Sequence, residues 1–381
     1  MIPGPIEFEP EVLRALGRQS PSHMDPEFAR SFGSALKTMR NVFGAPSGQP
    51  FVIAGTGTLA MEVAVANIVE AGERAVVVNT GFFSDRMGAI LERLGAKVDH
   101  VHAPAIGDAP DLAAVERALK TGPCKVMTIT HVDTSTAVRA PVEALAKLAR
   151  ANGALCVVDG VCATAGEALD QEAWGVDVNL TASQKAIGVP PGLALVMAGK
   201  RAIEAWRARK TKVASLYMDF GEWLTIMDGY ERGTPAYFAT PAVNLVAALD
   251  VALGHIVREG MPARIARHER LASAFRATWK ALGLRVLPTR DELCANTLSA
   301  VYYPDGVDAS FVGRVRQEGV VIAGGLHPQA KTKYFRVGHM GAIGTSDVLA
   351  TVGAIERALA KSGHRFDLGV GTAAAQAALA K

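Results

Sequence analysis

Cysteine is scarce in this chain and follows no pattern: Cys124, Cys156, Cys162 and Cys294 are the only four in 381 residues, and no two form a CxxC pair. That usage offers neither a zinc site nor a disulfide framework and fits a reduced, cytoplasmic protein. Excess charge is also missing. The formal net charge is +3 with no concentrated basic run, so nucleic acid and anionic membrane surfaces are not expected partners. No apolar run approaches membrane-spanning length. The start, Met1-Ile-Pro-Gly-Pro5, lacks the charged-then-apolar order of a secretion signal, and the end, Ala-Leu-Ala-Lys381, is not a peroxisomal Ser-Lys-Leu. There is no internal repeat. With 49% hydrophobic residues, the chain can bury one large core and a smaller one.

What the chain does have is a long alternation. A Pro-rich arm over 1–20 precedes a helix carrying Phe28, Phe32, Leu36, Met39 and Phe43. From Phe51, β-branched apolar runs at 51–54, 74–78, 97–102, 125–130, 154–158, 176–180 and 193–197 read as strands. Helical patterns lie between them near 59–70, 85–94, 111–120 and from 141. Such alternation predicts an α/β fold, a mostly parallel sheet covered by helices on both faces, with ligands at the carboxyl ends of its strands. From about Pro241 the pattern changes. Helices over 241–259 and 261–282 lead into strands at 284–287, 297–303, 320–323 and 334–337, mixed with helices near 308–318 and 345–361. These read as a smaller C-terminal α+β domain. The expected divisions are an arm over 1–20, a large domain over 21–255, a small domain over 256–362 and a Gly/Ala-rich tail over 363–381 that frays.

The stretch from Leu180 to Gly192 puts Lys185 just past a strand, in a stiff Gly/Pro-rich turn, pointing inward. Burying an ammonium for packing alone is costly. A carbonyl cofactor taken up as a Schiff base removes the charge and creates an electrophile. The bland alternative is a surface-loop lysine. Gly55-Thr56-Gly57-Thr58-Leu59-Ala60 follows a strand and opens a helix, as in the dinucleotide fingerprint. The next strand, however, ends in Asn79-Thr80-Gly81 and not in the acid a ribose requires. No Gly-Lys-Ser/Thr follows, so a Walker A loop is excluded. A phosphate cradle of backbone N–H groups and the Thr56 and Thr58 hydroxyls reads better.

Four further positions each admit two readings. Phe82 and Phe83 are core or a stacking surface for a planar group. Asp159, ending an apolar strand, caps the next turn or faces a protonated pyridine nitrogen. The hydroxyls of His131-Val-Asp-Thr134-Ser-Thr136 serve a cofactor oxygen or a cap. Arg336, interrupting an apolar strand, clamps a carboxylate in a bidentate pair or sits in an internal ion pair.

In this order the motifs resemble the class V aminotransferases of pyridoxal-phosphate fold type I, from Ile2 to about residue 361. Thr130–Ala137, Leu180–Gly188, Ala236–Pro241, Gly319–Gly325 and Gly338–Gly341 are most similar to the fungal-type alanine–glyoxylate aminotransferases. The resemblance implies pyridoxal 5′-phosphate bound covalently at Lys185, with Asp159 on the pyridine nitrogen. Thr56, Gly57, Thr58 and Gln184 would hold the phosphate, although Thr58 departs from the His of some relatives. Val161 would pack on one ring face and Phe83, where relatives often carry Trp, on the other. Thr134 would bond the ring hydroxyl. Arg336 would clamp the substrate carboxylate, with the backbone near Gly4 closing over it.

The resemblance further implies a homodimer with shared active sites, Tyr237 and Thr240 reaching the neighbouring subunit's phosphate. The implied activity is ping-pong transfer of an amino group from alanine to glyoxylate, giving pyruvate and glycine. Serine–glyoxylate or serine–pyruvate transamination is the alternative. A nicotinamide dehydrogenase would lack its strand-end acid. A cysteine desulfurase would need a mobile activated thiol, for which Cys294 is the only late candidate. A non-catalytic binding module leaves Lys185, Asp159 and Arg336 unexplained.

Overall fold

The computed structural model describes residues 1–381. Its central sheet has seven strands: β1 (Gln49–Ala54), β2 (Arg74–Asn79), β3 (Lys97–His102), β4 (Val126–Thr130), β7 (Leu155–Asp159), β8 (Val178–Ala182) and β9 (Leu193–Ala198). A separate short hairpin, β5 (Val132–Asp133) with β6 (Val138–Arg139), follows β4. The spatial order is β1-β9-β8-β7-β4-β2-β3. The run β8-β7-β4-β2-β3 is parallel, and β9 is antiparallel to both β8 and β1. The inner strands are buried on both faces, which is why they read as continuous apolar runs. Edge strand β3 alone keeps Lys97, Asp99, His100 and His102. Parallel pairing brings the carboxyl ends of β2, β4, β7 and β8 to one side, at Asn79, Thr130, Asp159 and Ala182.

The helices follow local chemistry. Helix Pro26–Phe43 starts at Asp25, whose side chain accepts from the Glu27 N–H at 2.7 Å, with Pro26 at the first helical position. It buries Phe28, Phe32, Leu36, Met39 and Phe43 on one face and stops at Gly44, whose φ of 61° is left-handed. Four other helices carry no expectation from the sequence: Pro10–Leu16 inside the arm, Gln171–Trp174, Lys200–Arg207, and Phe220–Glu231.

Beyond helices Val243–Glu259 and Met261–Ala281, a three-stranded antiparallel sheet forms from β10 (Leu298–Tyr302), β12 (Tyr334–Gly338) and β11 (Ala323–Gly324). It has its own core, in which Phe275 stacks on Trp279 at 5.6 Å and Phe311 meets Phe335 at 5.2 Å. Two expected strands shrink. The 284–287 run makes one bridge, Val286 to Val301, before Thr289 N–H turns away to Gly107 O. Of 320–323 only Ala323 pairs, because Val320 N–H folds back onto Val315 O.

The tail does not fray. Helix Val370–Leu379 packs against helices Met261–Ala281 and Thr345–Lys361. Composition alone hid the reason, which is the buried Glu356: Oε1 accepts from Gly371 N–H at 2.8 Å and Oε2 from the Thr372 hydroxyl at 2.7 Å. Glu356→Ala strands these buried donors and should cost about 1–3 kcal/mol. Earlier proteolytic cutting within 363–381 and a lower melting temperature are the expected readouts; an unchanged cutting pattern would show that apolar packing alone holds the tail.

Candidate active site

Helix Gly57–Ala66 begins just beyond β1, and the Thr56 hydroxyl caps it by accepting from Leu59 N–H at 3.4 Å. Its first turn has no acid, so its leading amides are open to an anion. A Cβ at Gly57 would lie 3.1 Å from Val161 Cγ2 and 3.2 Å from Ala182 Cβ. The helix start is thus pressed onto the ends of β7 and β8. The Thr58 hydroxyl accepts from Arg86 Nη1 at 3.0 Å, and the Arg86 guanidinium lies 4.9 Å from the Phe83 ring centre and 5.1 Å from that of Phe82. Neither phenylalanine is core, since both are half-buried and meet edge to face at 5.4 Å. Past β8, Gln184 keeps its Oε1 buried without a hydrogen-bond partner.

The 131–136 motif divides its labour. Asp133, fully buried, accepts through Oδ2 from Phe83 N–H at 3.1 Å and through Oδ1 from Ser135 N–H at 2.9 Å and its hydroxyl at 2.6 Å. Ser135 Oγ in turn accepts from Phe82 N–H at 3.1 Å. These two residues cap helix Phe82–Arg93, which therefore starts three residues before the expected 85. Thr134, buried beside them, takes no part in that cap. Asp133 and Arg86 are the residues the sequence reading passed over. Their signals were an acid beside strand-end hydroxyls and a cation one turn after an aromatic pair.

Asp159 caps its turn, accepting from Val161 N–H at 3.0 Å, but no cation pairs with it. Burial raises its pKa to about 7, and the nearby Asp133 adds to the rise. Lys185 lies three residues beyond β8, 8% exposed, and its Nζ donates to Pro3 O. Burial lowers its pKa; Cys162 and Asp159 oppose that, and Arg336 reinforces it. Arg336 lies on β12 opposite Ala300 and Ala323. Its Nε donates to Gly324 O at 2.8 Å and Nη1 to Thr134 O at 3.1 Å. Both acceptors are carbonyls and no carboxylate pairs with it, so the internal ion pair is ruled out.

The arm is laced through this centre. Gly338 N–H donates to Met1 O at 2.9 Å and Ile6 N–H to Gln184 O at 3.2 Å. Gly4, at φ +116°, lies so close that a Cβ would be 2.7 Å from Lys185 Cδ and Nζ. Tyr237 and Thr240 are not brought to the site within one chain. Tyr237 is 64% exposed, its ring 5.3 Å from that of His23, and Thr240 is exposed as well.

The aminotransferase class-V family model matches residues 11–343. The chain belongs to the class V aminotransferases. Alanine–glyoxylate aminotransferase 1 of Saccharomyces cerevisiae is 37% identical over 354 residues, spanning 90% of this chain and 91% of its own. L-aspartate–glyoxylate aminotransferase of Paracoccus denitrificans is 32% identical, spanning 98% and 94%. The crystal structure of an alanine–glyoxylate aminotransferase from Nostoc sp. is 31% identical, with a TM-score of 0.89 over 94% of each chain.

A class V aminotransferase of fold type I works with pyridoxal 5′-phosphate, and the residues here fit that group. A buried lysine, a buried carboxyl without its cation, an orphaned amide oxygen and a helix start open to an anion together match its aldehyde, ring nitrogen and phosphate. The other readings fall away. β2 ends in Asn79, whose amide donates to Asp85 at 2.6 Å, so the ribose-binding acid is absent. Cys294 is buried, and burial raises its pKa, the opposite of a mobile activated thiol.

Proposed function

We propose that this aminotransferase moves the amino group of alanine to glyoxylate, giving pyruvate and glycine. The observation that carries this is Arg336, one inward guanidinium without a counter-ion beside Lys185. It offers one carboxylate anchor. The other cation near the site, Arg86, is taken up by Thr58 and the two phenylalanines, so a dicarboxylate donor would lack a second partner. Glyoxylate recurs in the names of all three relatives, whereas their donors differ.

When bound, the cofactor supplies a carbonyl for the amino group and a ring that accepts negative charge from the substrate α-carbon. Lys185 would hold it covalently. Thr56, Gly57, Thr58 and Gln184 would bind its phosphate, Thr134 its hydroxyl, and Asp159 its ring nitrogen, with Val161 and Phe83 on its faces. Arg336 would orient the substrate through its carboxylate while the Gly4 backbone covers it. Lys185 would then take the α-proton on Nζ and return it, acting as base and acid in turn. Burial lowers its pKa, the direction this role requires.

We further propose a homodimer with shared sites, working in a reducing compartment such as the cytoplasm, and a division of each chain into large and small domains near residue 255. Exposed Tyr237 and Thr240 support sharing, since a residue meant for a neighbour is left uncovered in one chain. Mixing Lys185→Ala subunits with Tyr237→Phe/Thr240→Ala subunits places both lesions in one site of a heterodimer and neither in the other. Activity should rise above either parent; exchange without rescue would count against sharing.

The donor is tested by single-turnover bleaching of the cofactor's visible band with alanine, serine, aspartate and glutamate in turn. Alanine should be much faster than either dicarboxylate. Serine should follow within about a hundredfold, because a pocket for a methyl rejects an added hydroxyl weakly. Fast bleaching by glutamate would sink the one-anchor argument, and serine outrunning alanine would move the assignment to serine. Arg336→Lys should slow both half-reactions, since an ammonium cannot form the planar fork.

A further inference from the structure

Tyr334 and Arg336 lie two residues apart on β12, so their side chains leave the same face of the small sheet. From there both reach the loop beside Asp133 and take consecutive carbonyls. The Tyr334 hydroxyl donates to Ser135 O, and Arg336 Nη1 donates to Thr134 O at 3.1 Å. The same two side chains hold the segment that leads into β12. Arg336 Nε donates to Gly324 O at 2.8 Å, while the Tyr334 oxygen accepts from Leu326 N–H at 2.9 Å and His327 N–H at 2.8 Å. Tyr334 is fully buried, and a Cβ at Gly325 would lie 2.7 Å from its ring. One hydroxyl thus joins two distant stretches of chain at the edge of the active site. Burial raises its pKa, so it keeps the proton that it donates.

The two stretches do not depend on that hydroxyl equally. Around Ser135 the loop keeps bonds of its own, with Thr136 N–H and Ala137 N–H donating to Asp133 O at 3.1 and 2.8 Å. The Leu326 and His327 amides have no other partner. Gly324, just before them, ends the two-residue β11, so the direction of its carbonyl follows where the chain goes next. That carbonyl and Thr134 O orient the Arg336 guanidinium and leave its Nη2 without an acceptor in the chain. A phenylalanine at 334 would fill the same space and hold none of these groups. We propose that Tyr334 is a positioning residue for substrate: it fixes the 325–327 segment and, through Gly324 O, aims the Arg336 fork at the carboxylate. This rests on the reading of Arg336 as the carboxylate anchor.

The experiment titrates holoenzyme with propionate, a carboxylate that has no amino group to transfer, and follows the cofactor's visible band. Tyr334→Phe should weaken propionate about tenfold and raise the KM for alanine with kcat largely kept. Affinity for pyridoxal 5′-phosphate should stay unchanged. Trypsin should cut the substrate-free holoenzyme faster after the exposed Lys331 and Lys333 in this variant. Arg336→Lys, measured alongside, separates the two readings. If it weakens propionate and Tyr334→Phe does not, the positioning role is overturned and the anchor stands. If neither weakens it, the anchor is wrong and the positioning role falls with it. Equal loss of cofactor and propionate affinity in Tyr334→Phe overturns the proposal too, since the hydroxyl would then serve the fold alone. Weaker propionate binding with unchanged trypsin cutting overturns the route through the 325–327 segment.

Discussion

Lys185→Ala is expected to remove the covalent cofactor link and lower turnover by about 10⁴-fold or more. Two separate functions disappear together. No other lysine is brought to the ends of β7 and β8, so nothing else can hold the aldehyde. His131, the nearest buried histidine in sequence to the 133–136 loop, has its pKa lowered to about 3 by burial and is too weak a base to replace Lys185. Borohydride reduction followed by peptide mass spectrometry reads the link, and stopped-flow absorbance reads the proton transfer. A variant that keeps a reducible link and full turnover would overturn the assignment. Partial rescue of proton transfer by a small added amine, with the link still absent, would separate the two functions.

Asp159→Asn should retain cofactor but lose about a thousandfold in turnover, roughly 4 kcal/mol of transition-state stabilisation. An amide cannot keep a pyridine nitrogen protonated, so charge developing at the α-carbon loses its sink. The same residue has a signature in the cofactor-free protein. Its pKa rises on folding from 3.8 to about 7 because of burial, so the folded state holds the proton more tightly than the unfolded one. The associated stability is complete below 3.8 and is lost as pH rises to about 7, by up to about 4 kcal/mol. Cofactor-free wild type should therefore weaken relative to Asp159→Asn across that window. Loading the cofactor, which brings a cation to the carboxylate, should remove the difference. Parallel stability curves for the two proteins without cofactor would mean that Asp159 ionises freely and is not poised for a cation.

The sheet was legible because its strands are buried on both faces and leave uninterrupted apolar runs such as Val76-Val77-Val78 and Leu193–Ala198. Lys185, Asp159 and Arg336 were legible for the opposite reason: each is an ionisable group set in an apolar context that packing alone does not explain. Long-range partners were not legible. Nothing near Phe82 announces that its helix is capped by Asp133, about fifty residues later, or that Arg86 would reach Thr58. The tail failed for the same reason. A Gly/Ala-rich segment looks unstructured until Glu356 is seen accepting its leading N–H groups. Val320–Ala323 carries strand-forming residues, yet the turn at Gly319, at φ +91°, directs most of them away from β12.

The threading of Met1–Ile6 against Gly338 and Gln184 has a consequence for biosynthesis. The contact of Met1 with Gly338 can form only late, because β12 is made more than three hundred residues after the arm. Contacts so distant in sequence form slowly, and a growing chain folds from its beginning. A nascent chain can assemble the large sheet and expose Lys185 while the segment that covers it still hangs free. Cofactor capture during translation, before the arm is seated, would meet the least steric resistance.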